Sequence, residues 1–245
     1  MARSARIKSL SGYYHITTRG IGKHVLFEED SDFLHYLSLL KRFSSETRVS
    51  VCAYCLMDNH THQLIYDPND NLALFMKKLG TTYANYFNKK YSRVGHLFQN
   101  RYDSKPIESE SYLLRVFCYI LNNPCKAGIC SAEDYPWSSY QKYGNPHSFV
   151  DTVVLQNLLG SFEEYAAFVA AKYDEDDQDP EKIVRDDSWA KSVIAEVLQN
   201  HDKVPLLQYD RKERDRIIRE LKQKGLSLRQ IERLTGISKG VIQRA

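Results

Sequence analysis

Val49-Ser50-Val51-Cys52-Ala53-Tyr54-Cys55-Leu56-Met57-Asp58-Asn59-His60-Thr61-His62-Gln63-Leu64-Ile65-Tyr66 is the stretch on which the reading of this chain turns. Its two ends are rich in β-branched and aromatic residues, and Asp58-Asn59 between them suits a tight polar connection. The stretch predicts a strand from Val49 to Met57 and a returning strand from His60 to Tyr66, paired as a hairpin. On its N-terminal side, Tyr13 to Arg19 reads as a strand closed by Gly20 and Gly22. A helix follows, capped by Asp30 or Ser31, with Phe33, Leu34, Leu37, Leu40 and Phe43 at helical spacing. On the C-terminal side, Leu72 to Lys90 repeats that spacing through Phe75, Met76, Leu79, Tyr83 and Tyr86. A strand from Ser104 to Ile107 and a helix from Tyr112 to Asn122 come next, the helix started by Ser109 or Ser111 and stopped by Pro124. The order β-α-β-β-α-β-α is the split βαβ pattern of a ferredoxin-like antiparallel sheet with helices, an α+β fold.

Beyond this core, turn residues multiply between Ala127 and Pro146, where Trp137, Tyr140 and Tyr143 are expected to form a lid over the sheet. Phe162 to Tyr173 reads as a short helix, and Asp174 to Pro180 as an acidic linker. Asp187 to Gln199, Arg211 to Lys224 and the remaining C-terminal stretch read as helices. Three segments result: an α+β domain at 1–150, a helix with an acidic linker at 151–180, and an all-α domain at 181–245.

The chain has 245 residues, 42% of them hydrophobic and 27% charged, which excludes collagen-like, low-complexity and wholly disordered classes. No apolar run approaches the roughly 18 to 20 residues that span a bilayer, and the N-terminus lacks the apolar core of a signal peptide. The expectation is a cytoplasmic protein, at the nucleoid, without a membrane partner. Five cysteines without framework spacing fit reduced thiols in that compartment. The net charge of +3 conceals unlike parts: +5 over 1–150, −7 over 151–180 and +5 over 181–245. Two basic units on one chain point towards nucleic acid.

Two constellations could carry chemistry. Strand alternation puts His60 and His62 on one face and Thr61 on the other, so two imidazoles about 7 Å apart at Cα can share a divalent ion. By itself such a pair also fits a solvated strand face, and a zinc site with Cys52 and Cys55 competes with it. Cys52 and Cys55 are three apart, so alternation turns them to opposite faces and weakens the zinc reading. The second constellation is Tyr119 and Asn123, i and i+4 on one helix face, where an amide oxygen can serve a metal that the tyrosine approaches. Alone, such a tyrosine is ordinarily a core residue.

Five blocks occur in order: Tyr13-Tyr14-His15-Ile16-Thr17-Thr18-Arg19-Gly20, Ala53 to His62, Tyr83-Ala84-Asn85-Tyr86-Phe87-Asn88, Gly95-His96-Leu97-Phe98-Gln99-Asn100-Arg101-Tyr102, and Tyr119-Ile120-Leu121-Asn122-Asn123-Pro124. Together they resemble the single-tyrosine HUH transposases, most nearly the REP-associated tyrosine transposase group, over about residues 10–145. The resemblance implies a catalytic domain that cuts and rejoins single-stranded DNA beside hairpins through a 5′-phosphotyrosine link. It implies His60 and His62 as metal ligands, Asn123 as a third ligand and Tyr119 as nucleophile, with Mg²⁺ or Mn²⁺ as the working ion. It implies single-stranded DNA with hairpins as partner and leaves monomer and homodimer both open. Thr61 stands where relatives carry a larger aliphatic, and Asp58 where a proline commonly precedes the Asn-His pair; the latter change could bring a carboxylate near the metal. Tyr112, two turns before Tyr119, is the alternative nucleophile. A DNA-binding regulator that keeps the fold without cleaving is the alternative function.

Basic side chains neutralise phosphate while aromatic faces stack on unpaired bases. On that ground Arg19, Lys77, Lys78, Lys89, Lys90, Arg93, Arg101, Tyr102 and Lys105 form the expected DNA surface. In the C-terminal domain, Ser227-Leu228-Arg229-Gln230 reads as a capping box, Thr235-Gly236-Ile237 as a turn, and Ser238 as the cap of a last helix. That is a helix-turn-helix pattern, with Lys239, Gln243 and Arg244 outward on the candidate reading helix. A helical bundle for protein contact is the competing account.

Overall fold

Strands Tyr13–Arg19 (β1), Ser50–Met57 (β2), His60–Tyr66 (β3) and Asp103–Ile107 (β4) form one antiparallel sheet in the order β2-β3-β1-β4. This is the ferredoxin-like order that the alternation of elements predicts. The computed structural model describes residues 6–175, 187–199, 206–226 and 228–245. They fall into two compact units, 1–180 and 181–245.

Alternation along the strands builds two cores, one on each face of the sheet. Tyr14, Ile16, Leu56 and Ile65 pack against helices Asp30–Thr47 (α1) and Leu72–Lys90 (α2). Leu64 and Ile107 pack on the other face against Glu110–Leu121 (α3). Helices Asn123–Lys126 (α4), Val153–Leu159 (α5) and Phe162–Glu175 (α6) complete the first unit, with Tyr165 and Val169 of α6 buried in the α3-side core.

Strict alternation fails at one point in β2. Val51 pairs with Ile65 and Ala53 with Leu64, which leaves Cys52 as the extra residue of a β-bulge. The expectation that Cys52 and Cys55 face opposite ways is therefore wrong. Both lie in the α3-side core, together with Ala53 and Met57.

Three further expectations change. The cap of α1 is Glu29 rather than Asp30 or Ser31, because the Asp32 carboxylate, inside the first turn, accepts from the backbone N–H of Glu28 and Glu29. The stop ahead of Pro124 holds but is followed by a new turn: α3 ends at Leu121 with Asn122 as its cap, and Pro124 sits in the first turn of α4, where its missing N–H costs nothing. Residues 137–151 are no lid over the sheet but a cover for the open edge of β2. Leu56 N–H donates to Trp137 O, Ser139 N–H to Tyr54 O and Asp151 N–H to Val51 O. Trp137 stacks on Phe33, whereas Tyr143 stacks on Tyr165.

Gly20 is required where it stands, since a Cβ there would lie 2.0 Å from the His24 carbonyl oxygen. That close approach lets Ile21 N–H donate to Leu97 O and Gln99 N–H to Arg19 O, so residues 97–99 extend the end of β1.

The second unit comprises Asp187–Gln199 (α7), Arg211–Gln223 (α8), Leu228–Thr235 (α9) and Lys239–Arg244 (α10). Its core is Val197, Ile217, Ile218, Leu221, Ile231, Ile237 and Ile242. Asp210 caps α8 by accepting from Glu213 N–H. The expected cap Ser227 and residues 176–180 of the expected acidic linker lie outside the described residues. Among the described residues no helix is long and apolar enough to cross a membrane.

Candidate active site

The α3 face of the sheet gathers polar side chains at one end. Register pairs Arg19 with His60 and Thr17 with His62, and His15 follows on the same face of β1. Tyr119, near the end of α3, lies over them. Its ring meets that of His62 edge-on at 5.3 Å and that of His15 at 5.8 Å. The His60 and His62 rings lie 5.0 Å apart and perpendicular. Thus the strand pair and the helix pair identified in sequence converge. Tyr112, the alternative nucleophile, sits two turns earlier and packs against the α3-side core.

Hydrogen bonds orient each group. Asn123 Nδ2 donates to Tyr119 O at 2.9 Å, and the Asn123 side chain also bonds the His60 ring. His60 Nδ1 lies 2.7 Å from Asn59 Oδ1, an acceptor that a proton on Nδ1 satisfies. His62 Nδ1 is engaged by His15 Nε2 at 3.1 Å and Thr17 Oγ1 at 3.4 Å. Burial, with the Arg19 charge second, lowers the His60 pKa. Burial, with His15 and His60 as neighbours, holds that of His62 well below the ordinary value. Both imidazoles are accordingly neutral at pH 7, the form that ligates. Two ring nitrogens and an amide oxygen fit a divalent cation. Lys126 places its ammonium over the Tyr119 ring, 4.9 Å from the centroid.

The thiols do not join this set. Cys52 and Cys55 are buried in the apolar core, and burial pushes both thiols far up from their usual range. Among the described residues no three His, Cys, Asp or Glu side chains are grouped to hold a metal. The zinc reading through Cys52 and Cys55 therefore has no shared donor set. Asp58 is exposed in the β2–β3 turn, where its backbone oxygen accepts from Leu26 and Phe27 N–H.

The expected DNA surface divides. Arg19 and Lys105 stand on the histidine face, where their charges bear on His62. Lys77, Arg101 and Tyr102 line a cavity of about 810 Å³ on the opposite face, between α2 and residues 95–102, with Tyr36 and Thr18 among its lining residues. Lys89 is exposed at the end of α2, and Arg93 lies over the Phe87 ring. Lys78 and Lys90 are already paired. Lys78 holds Glu46 at 2.7 Å, and Lys90 holds the buried Asp32 at 2.6 Å and Glu29 at 2.5 Å. A cation that neutralises a buried carboxylate is not available to phosphate, so Lys90 is a structural residue. In the second unit Lys239, Gln243 and Arg244 are exposed along α10.

Sequence reasoning overlooked His15, Thr17, Asn59 and Lys126 at the site, and Arg6, whose guanidinium stacks on Tyr102 at 3.6 Å beside the cavity. His15 and Thr17 carried a usable signal, since alternation puts Tyr13, His15, Thr17 and Arg19 on one face.

The profile of the IS200-like transposase family matches residues 8–123, from ahead of β1 to the Asn123 amide. This stretch, just under half of the chain, is similar to the IS200-like transposases. The transposase unit also resembles a solved REP-associated tyrosine transposase bound to a REP hairpin, with a TM-score of 0.51 and 14% identity. That match covers 62% of this chain and 94% of the other. A putative transposase from Deinococcus radiodurans aligns at a TM-score of 0.35 and 20% identity, over 49% of this chain and 97% of the other. No curated protein shows a significant match. The four-stranded antiparallel sheet with helices is thus the fold of that solved tyrosine transposase.

Proposed function

We propose that the transposase unit cleaves and rejoins single-stranded DNA beside hairpins, with Tyr119 as nucleophile. The observation that carries this reading is the convergence of the Tyr119 ring on His62, with Asn123 bonded to both Tyr119 and His60. His60, His62 and Asn123 would hold Mg²⁺ or Mn²⁺. When bound, the ion supplies Lewis-acid polarisation of a non-bridging phosphate oxygen.

The chain's own residues do the rest. Tyr119 Oη forms a bond to phosphorus as the bond from phosphorus to the 3′ oxygen breaks. The phenolic proton leaves to solvent or a base, and the 3′ oxygen departs as a hydroxyl. The resulting 5′-phosphotyrosine preserves a phosphodiester, so the reverse attack rejoins strands without an external energy source. The Asn123 bond to the Tyr119 carbonyl and Lys126 above its ring hold the nucleophile in place.

The cavity on the opposite face, with Lys77, Arg101 and Tyr102, suits the hairpin or its unpaired bases. The solved hairpin-bound relative supports that partner. For the second unit, the short turn at Gly236 and the exposed Lys239, Gln243 and Arg244 favour a helix-turn-helix that contacts duplex DNA.

Incubating the protein with labelled single-stranded hairpin DNA and Mn²⁺ should give an SDS-resistant adduct that Tyr119→Phe abolishes. An equal adduct with the phenylalanine variant removes Tyr119 from its role. Hairpin binding with no cleavage by the parent, unaltered by chelator, favours the regulator reading instead.

A further inference from the structure

α3 ends at Leu121 and α4 starts at Asn123, so a new helix begins directly after the turn that carries Tyr119. Side chains of a helix lean towards its N-terminus, and Lys126 at the end of α4 therefore leans back over that turn. Its ammonium lies 4.9 Å from the centre of the Tyr119 ring. Asn123 Nδ2 donates to Tyr119 O at 2.9 Å and Lys126 N–H to Asn122 O at 3.0 Å, which fixes both ends of α4 against α3. Lys126 is exposed and Tyr119 half-buried, so cation and ring meet on the solvent side of the site.

Positive charge reaches that site from two directions. On the sheet, burial holds the His60 and His62 pKa values down, and the cations that bear on His62 are Arg19 and Lys105. Lys126 brings its charge from the helix side, against the nucleophile itself. Contact with a ring face draws on the charge of an ammonium rather than on its N–H bonds, so the same group can donate to an anion joined at the rim of that ring. Phosphoryl transfer spreads negative charge over the non-bridging oxygens at the transition state, and catalysis rests largely on charges already placed to meet it.

We propose that Lys126 is a further catalytic residue, whose ammonium donates to a non-bridging oxygen of the phosphate that Tyr119 attacks and keeps that bond in the phosphotyrosine. The proposal rests on the reading of Tyr119 as nucleophile. Lys126 gives up no proton in the step. It stays an ammonium while the bond from Tyr119 Oη to phosphorus forms and the bond from phosphorus to the 3′ oxygen breaks. A lysine that only packs on the ring acts through its stem, which methionine largely reproduces, whereas one that binds phosphate acts through a charge that arginine keeps.

The full chain with labelled single-stranded hairpin DNA and Mn²⁺ separates the two. At saturating DNA, Lys126→Met should form the SDS-resistant adduct roughly tenfold or more slowly than the parent, and Lys126→Arg should recover part of the rate. The cleaved position, mapped on the parent adduct, is then replaced by a neutral methylphosphonate, and binding is measured on Tyr119→Phe protein. The replacement should weaken binding to Tyr119→Phe, and weaken it less once Lys126→Met is added, the non-additivity of two groups in contact. Additive losses overturn the proposal, as does Lys126→Met with an adduct rate within about twofold of the parent, or Lys126→Arg as slow as Lys126→Met. If Tyr119→Phe abolishes the adduct while Lys126→Met forms it at the parental rate, only the role of Lys126 fails. No adduct from the parent, or an equal one from Tyr119→Phe, removes the reading of Tyr119 and this proposal with it.

Discussion

Thr61 stands between the two histidines in the chain and on the far side of the sheet in space. Fully buried, it shares its hydroxyl with Thr18 Oγ1 at 2.8 Å and accepts from Gln63 Nε2 at 3.2 Å, while Gln63 also donates to Tyr36. Thr61→Val keeps the shape and strand propensity but strips these bonds, which should cost about 1–2 kcal/mol in urea unfolding. On the proposed function, DNA adduct yield from the folded variant should stay within about twofold of the parent, because nothing on the histidine face changes. Loss of adduct without loss of stability would show that the two faces are coupled. The same alternation that separates Thr61 from its neighbours made the histidine pair readable from sequence, and i,i+4 spacing did so for Tyr119 and Asn123. His15 obeys the same period, yet nothing local ties it to His62. Their contact exists because β1 pairs with β3 over 47 positions of chain, and register of that kind is a property of the closed sheet.

Among the elements, α1 and α2 are joined by a buried carboxylate. Asp32 accepts from Glu28 and Glu29 N–H, from Tyr86 Oη at 3.0 Å, from Tyr91 Oη at 2.6 Å and from Lys90 Nζ at 2.6 Å. Burial opposes its charge, but bonds from Lys90, Tyr91, the Glu28 amide and Tyr86 more than offset this and hold its pKa below the usual value. Asp32→Ala strands Lys90 and loosens the start of α1, at an expected cost on the order of 3 kcal/mol by urea denaturation. Because the folded pKa lies below the unfolded one, the carboxylate's contribution is complete above about pH 4 and lost as pH falls further. The acid-unfolding curves of parent and Asp32→Ala should therefore converge below that pH; a constant gap down to pH 2 would deny the carboxylate this part. The amphipathic faces of both helices were plain in the sequence, but their joint was not, since a single Asp near a helix start reads only as a cap. The bulge at Cys52 was equally hidden. Val51, Cys52 and Ala53 are all acceptable strand residues, and which of them goes unpaired depends on β3.

Across the whole chain, the net charge of +3 is the sum of −2 over 1–180 and +5 over 181–245, two units with separate cores. Ile217 is completely buried in the second unit. Ile217→Ala should remove about 2–5 kcal/mol there and leave the transposase unit's own unfolding transition in place. Calorimetry should resolve the lowered transition from the unchanged one, and a single transition moving as a whole would mean that the units unfold together. Within the transposase unit, the sheet is a partition. The histidines and Tyr119 lie on one side and the basic cavity on the other, separated by a layer with a packing thickness of about 10 Å. On the proposed function, a DNA strand held in the cavity and cut at Tyr119 would have to round the rim of that layer. At about 3.4 Å per stacked nucleotide, a path as long as the layer is thick would take roughly three nucleotides. On that reading the sheet would act as a ruler between the element that is held and the phosphate that is broken.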